Sequence, residues 1–329
     1  MNIEKEKIDI VYTWVDGSDK KWLEKKQYWA EKEGNQIEST KTCRFRDNDE
    51  LKYSLRSLEK YANWINKIYI VTDNQIPKWL DTTNPRVKII DHKEIIPEEY
   101  LPTFNSCAIE HSISNIPNLS EYFLYANDDC FFGNYVTKHF FYTKNCFPIF
   151  RYTIPYDTDS GNIYCKLLYN SEQIIKNDFG YYNGQYPHHN ITSYRKSDIF
   201  ACKNLYKNEV HKTQACRFKK ESNIIMVLYA NYAIAIKHGY YKDITKEWPQ
   251  YSFYKYIPFM RKIIRMLNKK YSKETIYIDC NEQDYKTLLE EHGSKLFCIN
   301  DNEHTTKDDK QRMHDFLEEL FPDKSSFEI

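Results

Sequence analysis

Four short apolar runs each end in polar or acidic residues, and this repeated pattern constrains the fold more than any other feature of the 329-residue chain. Ile8–Trp14 leads into Val15–Asp16–Gly17–Ser18–Asp19, and Lys67–Thr72 leads into Asp73–Asn74. Val87–Ile90 leads into Asp91–His92, and Tyr122–Ala126 into Asn127–Asp128–Asp129. Strands apolar along their whole length are buried on both faces, so these runs, interleaved with helical stretches, predict a mainly parallel α/β sheet. Ligands bind beyond the carboxyl ends of the strands in such sheets. The four polar tips are therefore expected at one rim. The adjacent carboxylates of Asp128 and Asp129 would repel each other and resist desolvation in a core. At the mouth of a site they are reasonable.

Helical stretches fill the intervals. Lys20–Lys32 is the first. Asp47 reads as the N-cap of the next, with Glu50 as its capping-box partner and Leu51, Leu55 and Leu58 on one face. Another runs from about Ser106 to Asn115 and stops before Pro117. From 140 to 215 the pattern is irregular and Tyr-rich, read as a loop-rich or mixed insert. A helical part follows at about 221–238 and 250–271. The longest apolar run, Ile224–Ile236, contains Asn231 and reads as a core helix. No run approaches the ~18 apolar residues of a membrane span, and MNIEKEKIDIVY lacks the layout of a signal peptide.

Composition removes several function classes. There are 47 basic and 47 acidic residues, so bulk charge argues against non-specific nucleic-acid binding. With 8 glycines and no glycine-rich nucleotide motif, a phosphate loop of that kind is not expected. The nine cysteines are scattered and odd in number, with no C-x-x-C; they read as reduced thiols in a cytoplasm rather than a disulfide frame or zinc site.

Local motifs leave alternatives open. Asp128–Asp129 suits a divalent cation bridging phosphate oxygens, or a solvated turn or capping pair. Arg44 and Arg46 could grip a phosphate, or pair with Asp47, Asp49 or Glu50. His188–His189, followed by Arg195–Lys196, could deprotonate a hydroxyl beside phosphate-holding cations, or lie in a solvated loop. Arg217, Lys219 and Lys220 form a basic knot or an ordinary surface, and Asn300–Asp301–Asn302 a polar turn. Residues 255–273 carry seven bases and no acid. They suit peripheral contact with an anionic membrane, or a core-packed helix with a basic outer face.

Together the segments resemble the Stealth family of hexose-1-phosphate transferases, which includes bacterial capsule polymerases. The resemblance rests on IDIVYTWVDGSD at 8–19, on RFRDNDELKYSLRSLEKYANWINKIYIVTDNQIPKWL at 44–80 continued at 101–133, on HHNITSYRKS at 188–197, and on 298–328. It spans the chain nearly end to end and is loosest at about 140–180 and 225–290.

The resemblance implies a Rossmann-like/GT-A-like, mainly parallel sheet flanked by helices, with a Tyr-rich insert and a helical C-terminal part. One catalytic domain is expected over 1–329: a nucleotide-sugar core at 1–140, an insert at 141–215 carrying the His block, and a helical part with the C-terminal motif at 216–329. The implied activity is transfer of a sugar-1-phosphate from a UDP-hexose or UDP-N-acetylhexosamine to a saccharide hydroxyl, releasing UMP, in capsule or surface polysaccharide synthesis. The rival enzyme reading is a metal-dependent glycosyltransferase releasing UDP. A rival of another class is a non-catalytic carbohydrate-binding module. Implied partners are the nucleotide-sugar donor and an oligosaccharide or polysaccharide acceptor, without nucleic acid, in the cytoplasm or at the inner face of its membrane.

Carried over by position, Asp128 and Asp129 match the family's paired acids, assigned with Asp301 to Mg²⁺, Mn²⁺ being the alternative. Thr13, Trp14, Asp16 and Gly17 match the nucleotide-sugar loop. Arg44, Arg46 and Asn48 match the opening of the second block. His189 is expected as the catalytic base and Lys196 as its basic partner, with His188 kept open by a one-residue register ambiguity. Asn300 completes the metal or acceptor site. The sequence departs from the family after the His block, where an Arg is followed by an acidic pair in relatives. Here Arg217–Phe218–Lys219–Lys220 leaves either Arg217 or Lys219 as the second phosphate-gripping cation.

Overall fold

A computed structural model describes residues 2–34, 40–244 and 274–329. The basic stretch 255–273 and the expected helix at 250–271 lie outside the described residues.

All four apolar runs are strands: β1 (Ile8–Thr13), β2 (Ile68–Thr72), β3 (Val87–Asp91) and β4 (Tyr122–Asn127). They pair in parallel in the order β3-β2-β1-β4. Alternate residues of β1, β2 and β4 serve opposite cores, which is why those runs are largely apolar, while the edge strand β3 exposes Lys88. Ile8, Ile10, Ile68, Ile70 and Leu124 pack with Leu51, Leu55 and Leu58 on one side. Val11, Val71 and Phe123 pack on the other with Leu167, Leu168, Ile199 and Leu228. Chain order reverses on either side of β1, so the gap beyond the ends of β1 and β4 is the topological switch point of the sheet. There Thr13 and Asn127 are register partners.

Helix α1 spans Lys20–Lys32 as expected, its Asp19 side chain accepting from the Trp22 amide. Helix α2 spans Glu50–Tyr61 and departs from the expected cap. Its N-cap is Asp49, in the left-handed region at φ 64°, with no side-chain cap. Glu50 instead folds back to accept from the Asn48 amide at 2.5 Å and from Asn48 Nδ2 at 2.7 Å. Asp47 accepts from the Asp49 amide. The acids that looked like a capping box thus hold a turn beside the switch point. The expected helix from Ser106 divides into an α-turn at Ser106–Glu110 and a 3-10 turn at Ile113–Asn115.

The Tyr-rich insert is more regular than its sequence suggested. It contains β6 (Ile149–Pro155), a helix at Ile163–Phe179, β7 (Gln185–Pro187), β8 (Thr192–Arg195) and further helices at Lys196–Leu205 and Lys207–Gln214. Strand β8 joins the main sheet antiparallel to β4. Strands β7, β6 and β9 (Tyr240–Asp243) form a small second sheet.

A third sheet joins β10 (Thr275–Asp279) and β11 (Leu296–Asn300) to β5 (Cys130–Phe132), which pairs antiparallel with β11. Only Asp128 and Asp129 separate β4 from β5, so the acidic pair is the joint between the main sheet and this one. The joint is anchored from α2: Ser54 Oγ donates to the Cys130 carbonyl at 2.6 Å, and Ser57 Oγ accepts from the Phe132 amide at 3.0 Å. Among the described residues no helix is long and apolar enough to cross a membrane.

Candidate active site

A cleft of about 1070 Å³ opens beyond the ends of β1 and β4. Thr13, Trp14, Arg44, Arg46, Asp128, Asp129, His188, His189, Lys219, Asn300 and Asp301 all line it. Segments separated by most of the chain therefore meet at one rim, and topology explains each arrival. Thr13 and Asn127 end adjacent parallel strands. The histidines occupy the link between β7 and β8, and β8 begins at Thr192 opposite Tyr125, so the link lies beside the tip of β4. Asn300 ends β11, and the loop after it turns toward Arg46, whose Nη2 donates to the Asn302 carbonyl at 3.1 Å. Arg46 Nε stands 3.2 Å from Asp301 Oδ2.

The carboxylates are crowded. Burial pushes the Asp128 carboxyl well above its ordinary range, and the charges of Glu50, Asp129 and Asp47 push it further. Glu50 is raised to about 7, chiefly by burial, and Asp47 to about 6 by burial and by Asp49. Mutual repulsion among acids at one turn is what a divalent cation with oxygen ligands relieves, and such ions take carboxylates readily. Asp128, Asp129 and Asp301 all line the cleft and offer carboxylate oxygens of the kind such an ion takes.

The two histidines differ. His188 is half-buried in the cleft wall, and desolvation of its ring, together with the charges of His189 and Arg151, lowers it to about 3. His189 is 40% exposed in its side chain and faces the acids, its Nε2 lying 3.9 Å from Asp129 Oδ1. Asn127 fixes its tautomer. Tyr125 Oη donates to Asn127 Oδ1 at 3.0 Å, and Thr13 Oγ1 reaches the same oxygen at 3.5 Å. This turns Asn127 Nδ2, which can only donate, toward His189 Nε2 at 3.4 Å. The lone pair of His189 Nε2 thus lies inside the cleft. The edge of Tyr277 packs on the ring, with centroids 6.0 Å apart.

Several expected residues stand elsewhere. Lys196 is not brought to the cleft. Because β8 runs antiparallel to β4, its far end lies at the opposite edge of the sheet, where Lys196 Nζ donates to the Leu119 carbonyl. Arg217 is also outside: its guanidinium stacks 4.0 Å from the Trp29 ring and donates to the Leu101 carbonyl. Of the two alternatives, Lys219 is the one that lines the cleft. Asp16 caps its own turn, accepting from the Ser18 amide and hydroxyl. Gly17 is a packing residue, since a Cβ there would lie 1.9 Å from the Phe45 carbonyl oxygen. Asn48 acts on Glu50 rather than lining the cleft.

Sequence reasoning missed Glu110, Tyr125 and Asn127. Glu110 lines the cleft, raised to about 7 by burial despite nearby Lys219. Tyr125 sits inside an apolar strand and gave no signal, whereas Asn127 stood in the polar tip. The cysteines also converge: Cys130 and Cys298 are directly opposed across β5 and β11.

Known proteins bear on this assembly. The profiles described as Stealth protein CR1, CR2 and CR4, conserved regions 1, 2 and 4, match residues 6–34, 44–149 and 286–329. The capsular polysaccharide phosphotransferase fcs1 of Haemophilus influenzae is 34% identical over 307 residues, covering 89% of this chain and 78% of that protein. The exopolysaccharide phosphotransferase cps2G of Lactiplantibacillus plantarum is 31% identical, with 98% and 96% covered. The capsular polysaccharide phosphotransferase LcbA of Neisseria meningitidis is 47% identical over a shorter stretch, 44% of this chain and 40% of that one. Among solved structures, the galactosyltransferase LgtC with donor and acceptor sugar analogs matches with a TM-score of 0.40 and 9% identity, covering 97% of both chains. With two such relatives matching along most of their own length, and three regional profiles falling on the segments that build the cleft, the chain belongs to the Stealth protein family.

Proposed function

We propose that this chain is a polysaccharide phosphotransferase. It moves a sugar-1-phosphate from a nucleotide-sugar, a UDP-hexose or UDP-N-acetylhexosamine, to a saccharide hydroxyl in capsule or exopolysaccharide synthesis. The single observation that carries the reading is the juxtaposition of His189 Nε2 with the Asp128–Asp129 turn at the switch point. The relatives at 34% and 31% identity named as phosphotransferases support the reaction class.

In this reading the donor diphosphate lies across the rim, with Arg44, Arg46 and Lys219 facing its charge. Asp128, Asp129 and Asp301 would hold a divalent cation, Mg²⁺ or Mn²⁺, which would offset phosphate charge. His189 Nε2 exchanges its long 3.4 Å contact with the Asn127 amide for the incoming acceptor hydroxyl and removes that hydroxyl's proton. The acceptor oxygen attacks the β-phosphorus. The bond from that phosphorus to the bridging oxygen breaks, and the oxygen leaves with UMP. A phosphodiester joins acceptor and sugar. His188, its ring kept neutral by desolvation, lines the cleft beside His189.

The nucleotide product tests the reading. Incubation with UDP-sugars, a saccharide acceptor and Mg²⁺ should release UMP and yield a phosphodiester resonance in the phosphorus NMR spectrum. Release of UDP with a glycoside product would replace it by glycosyl transfer.

A further inference from the structure

The nine cysteines lack any metal-binding spacing in sequence, yet the fold gathers two of them with a carboxylate and an imidazole. Residue pairs along β5 and β11 alternate in hydrogen bonding. Ile299 donates to the Asp129 carbonyl at 3.1 Å and Gly133 to the Lys295 carbonyl at 2.8 Å, which leaves Cys130 and Cys298 as a non-hydrogen-bonded pair. Side chains of such pairs approach most closely and share a face. That face looks toward the acidic turn. Cys130 Sγ lies 3.5 Å from Asp129 Oδ1, and His189 Nε2 lies 3.9 Å from the same oxygen. One donor atom from each of Asp129, Cys130, His189 and Cys298 falls within 4.8 Å of all the others.

We propose that Asp129, Cys130, His189 and Cys298 form a site for a thiophilic divalent ion, Zn²⁺ by its chemistry, that overlaps the transfer site. Zinc bonds of about 2.0 to 2.3 Å to oxygen, nitrogen and sulfur place tetrahedral donors roughly 3.3 to 3.8 Å apart. The separations of 3.5 and 3.9 Å are at or near that spacing, and no pair of donors is more than 4.8 Å apart. Two sulfurs, one imidazole nitrogen and one carboxylate oxygen are a borderline-soft set, unlike the all-oxygen surroundings that Mg²⁺ selects. Binding releases the two thiol protons to solvent and leaves both sulfurs as thiolates. The ion takes His189 Nε2, the atom that faces Asn127, and one oxygen of Asp129. Resting on the reading of His189 as the base, occupation halts transfer: Zn²⁺ and the hydroxyl-activating step compete for one lone pair. The partner pair Cys130–Cys298 takes no part in transfer, so the two functions separate by mutation.

The test uses the reduced, chelator-treated full chain. Co²⁺ should bind at one equivalent with an intense near-ultraviolet sulfur-to-cobalt band, bleached by one equivalent of Zn²⁺. Cys298→Ser should reduce the band by half or more and weaken Zn²⁺ at least about a hundredfold in competition with a chromophoric chelator, while retaining Mg²⁺-supported transfer. Cys130→Ala makes the same test if the buried serine prevents folding, and His189→Gln, at a half-exposed side chain, should weaken Zn²⁺ in either case. Cobalt binding without a sulfur band, or a band of undiminished intensity in the folded cysteine variants, would overturn the site. In the transfer assay Zn²⁺ should inhibit the unaltered chain at one-site occupancy and spare Cys298→Ser. Stoichiometric zinc binding without inhibition would leave the site standing and overturn His189 as the base.

Discussion

His188 and His189 are sequence neighbours with opposite surroundings, and the difference decides their chemistry. The first has its ring desolvated beside Arg151; the second meets Asn127 and Asp129. His189→Gln should reduce transfer by a factor of 10² or more while donor affinity, measured by calorimetry, stays within about threefold. Tyr125→Phe leaves the cleft's shape intact but frees the Asn127 amide to turn. It should lower kcat with little change in KM, and rate measurements over a donor series would show the split. Asp128→Asn carries a double expectation. Its carboxyl is buried among Glu50, Asp129 and Asp47. The amide should therefore raise the melting temperature near pH 8 while lowering transfer by about 10² to 10³. A melting temperature that falls would mean the carboxylate is held by contacts stronger than the repulsion described here. The acidic pair was legible because two carboxylates broke an apolar run. Tyr125 was not, because a hydroxyl inside a strand looks like packing until its partners in β1 and β4 are seen.

At the scale of elements, the parallel strands were readable from composition alone, since burial on both faces erases polar alternation. The direction of β8 was not readable. Its four residues, Thr192–Arg195, carry no directional mark. Reversing that strand moves Lys196 from one edge of the sheet to the other, so a single unreadable orientation displaced one expected site residue. The start of α2 was hidden for a related reason: Asp47 and Glu50 satisfy the spacing of a capping box while making other hydrogen bonds. Gly17 shows that a glycine beside a site can serve its scaffold. Gly17→Ala would force the turn Thr42–Phe45 away from the first loop. Since Arg44 and Arg46 are carried by and just beyond that turn, donor affinity should fall about tenfold or more with kcat less affected. Equilibrium binding of the nucleotide-sugar to the variant checks this.

At the scale of the molecule, the last residues clasp the first half. Arg56, buried in α2, donates through Nε and Nη2 to the two carboxylate oxygens of Glu328 at 2.8 and 2.9 Å, and through Nη1 to the Phe321 carbonyl at 2.8 Å. Burial pushes Glu328 upward, but hydrogen bonds from Arg56 and Ser325 and the Arg56 charge outweigh it and hold the carboxyl below its ordinary value. A depressed carboxyl stabilises the fold fully above its unfolded pKa of about 4.3, and that contribution is lost as pH falls through the lower folded value. Glu328→Gln should thus unfold more readily than the unaltered chain at pH 7, with the gap narrowing below pH 4 in urea titrations. Arg56→Ala, which strands a buried carboxylate, should be the harsher change, at about 3 kcal/mol or more. Nothing local in the sequence announces the pairing of positions so far apart; only the closed fold reveals it.

The link between β4 and β5 is two residues long and both are acids. It has no slack to lengthen or reshape without pulling two sheets out of register. A change that keeps this corner must fall elsewhere on the rim, as in the stretch of β6 from Ile149 to Ile154 that lines the cleft away from the two acids. A change of saccharide preference there would leave the phosphate-handling corner untouched, in the way a lock is rekeyed without moving its bolt.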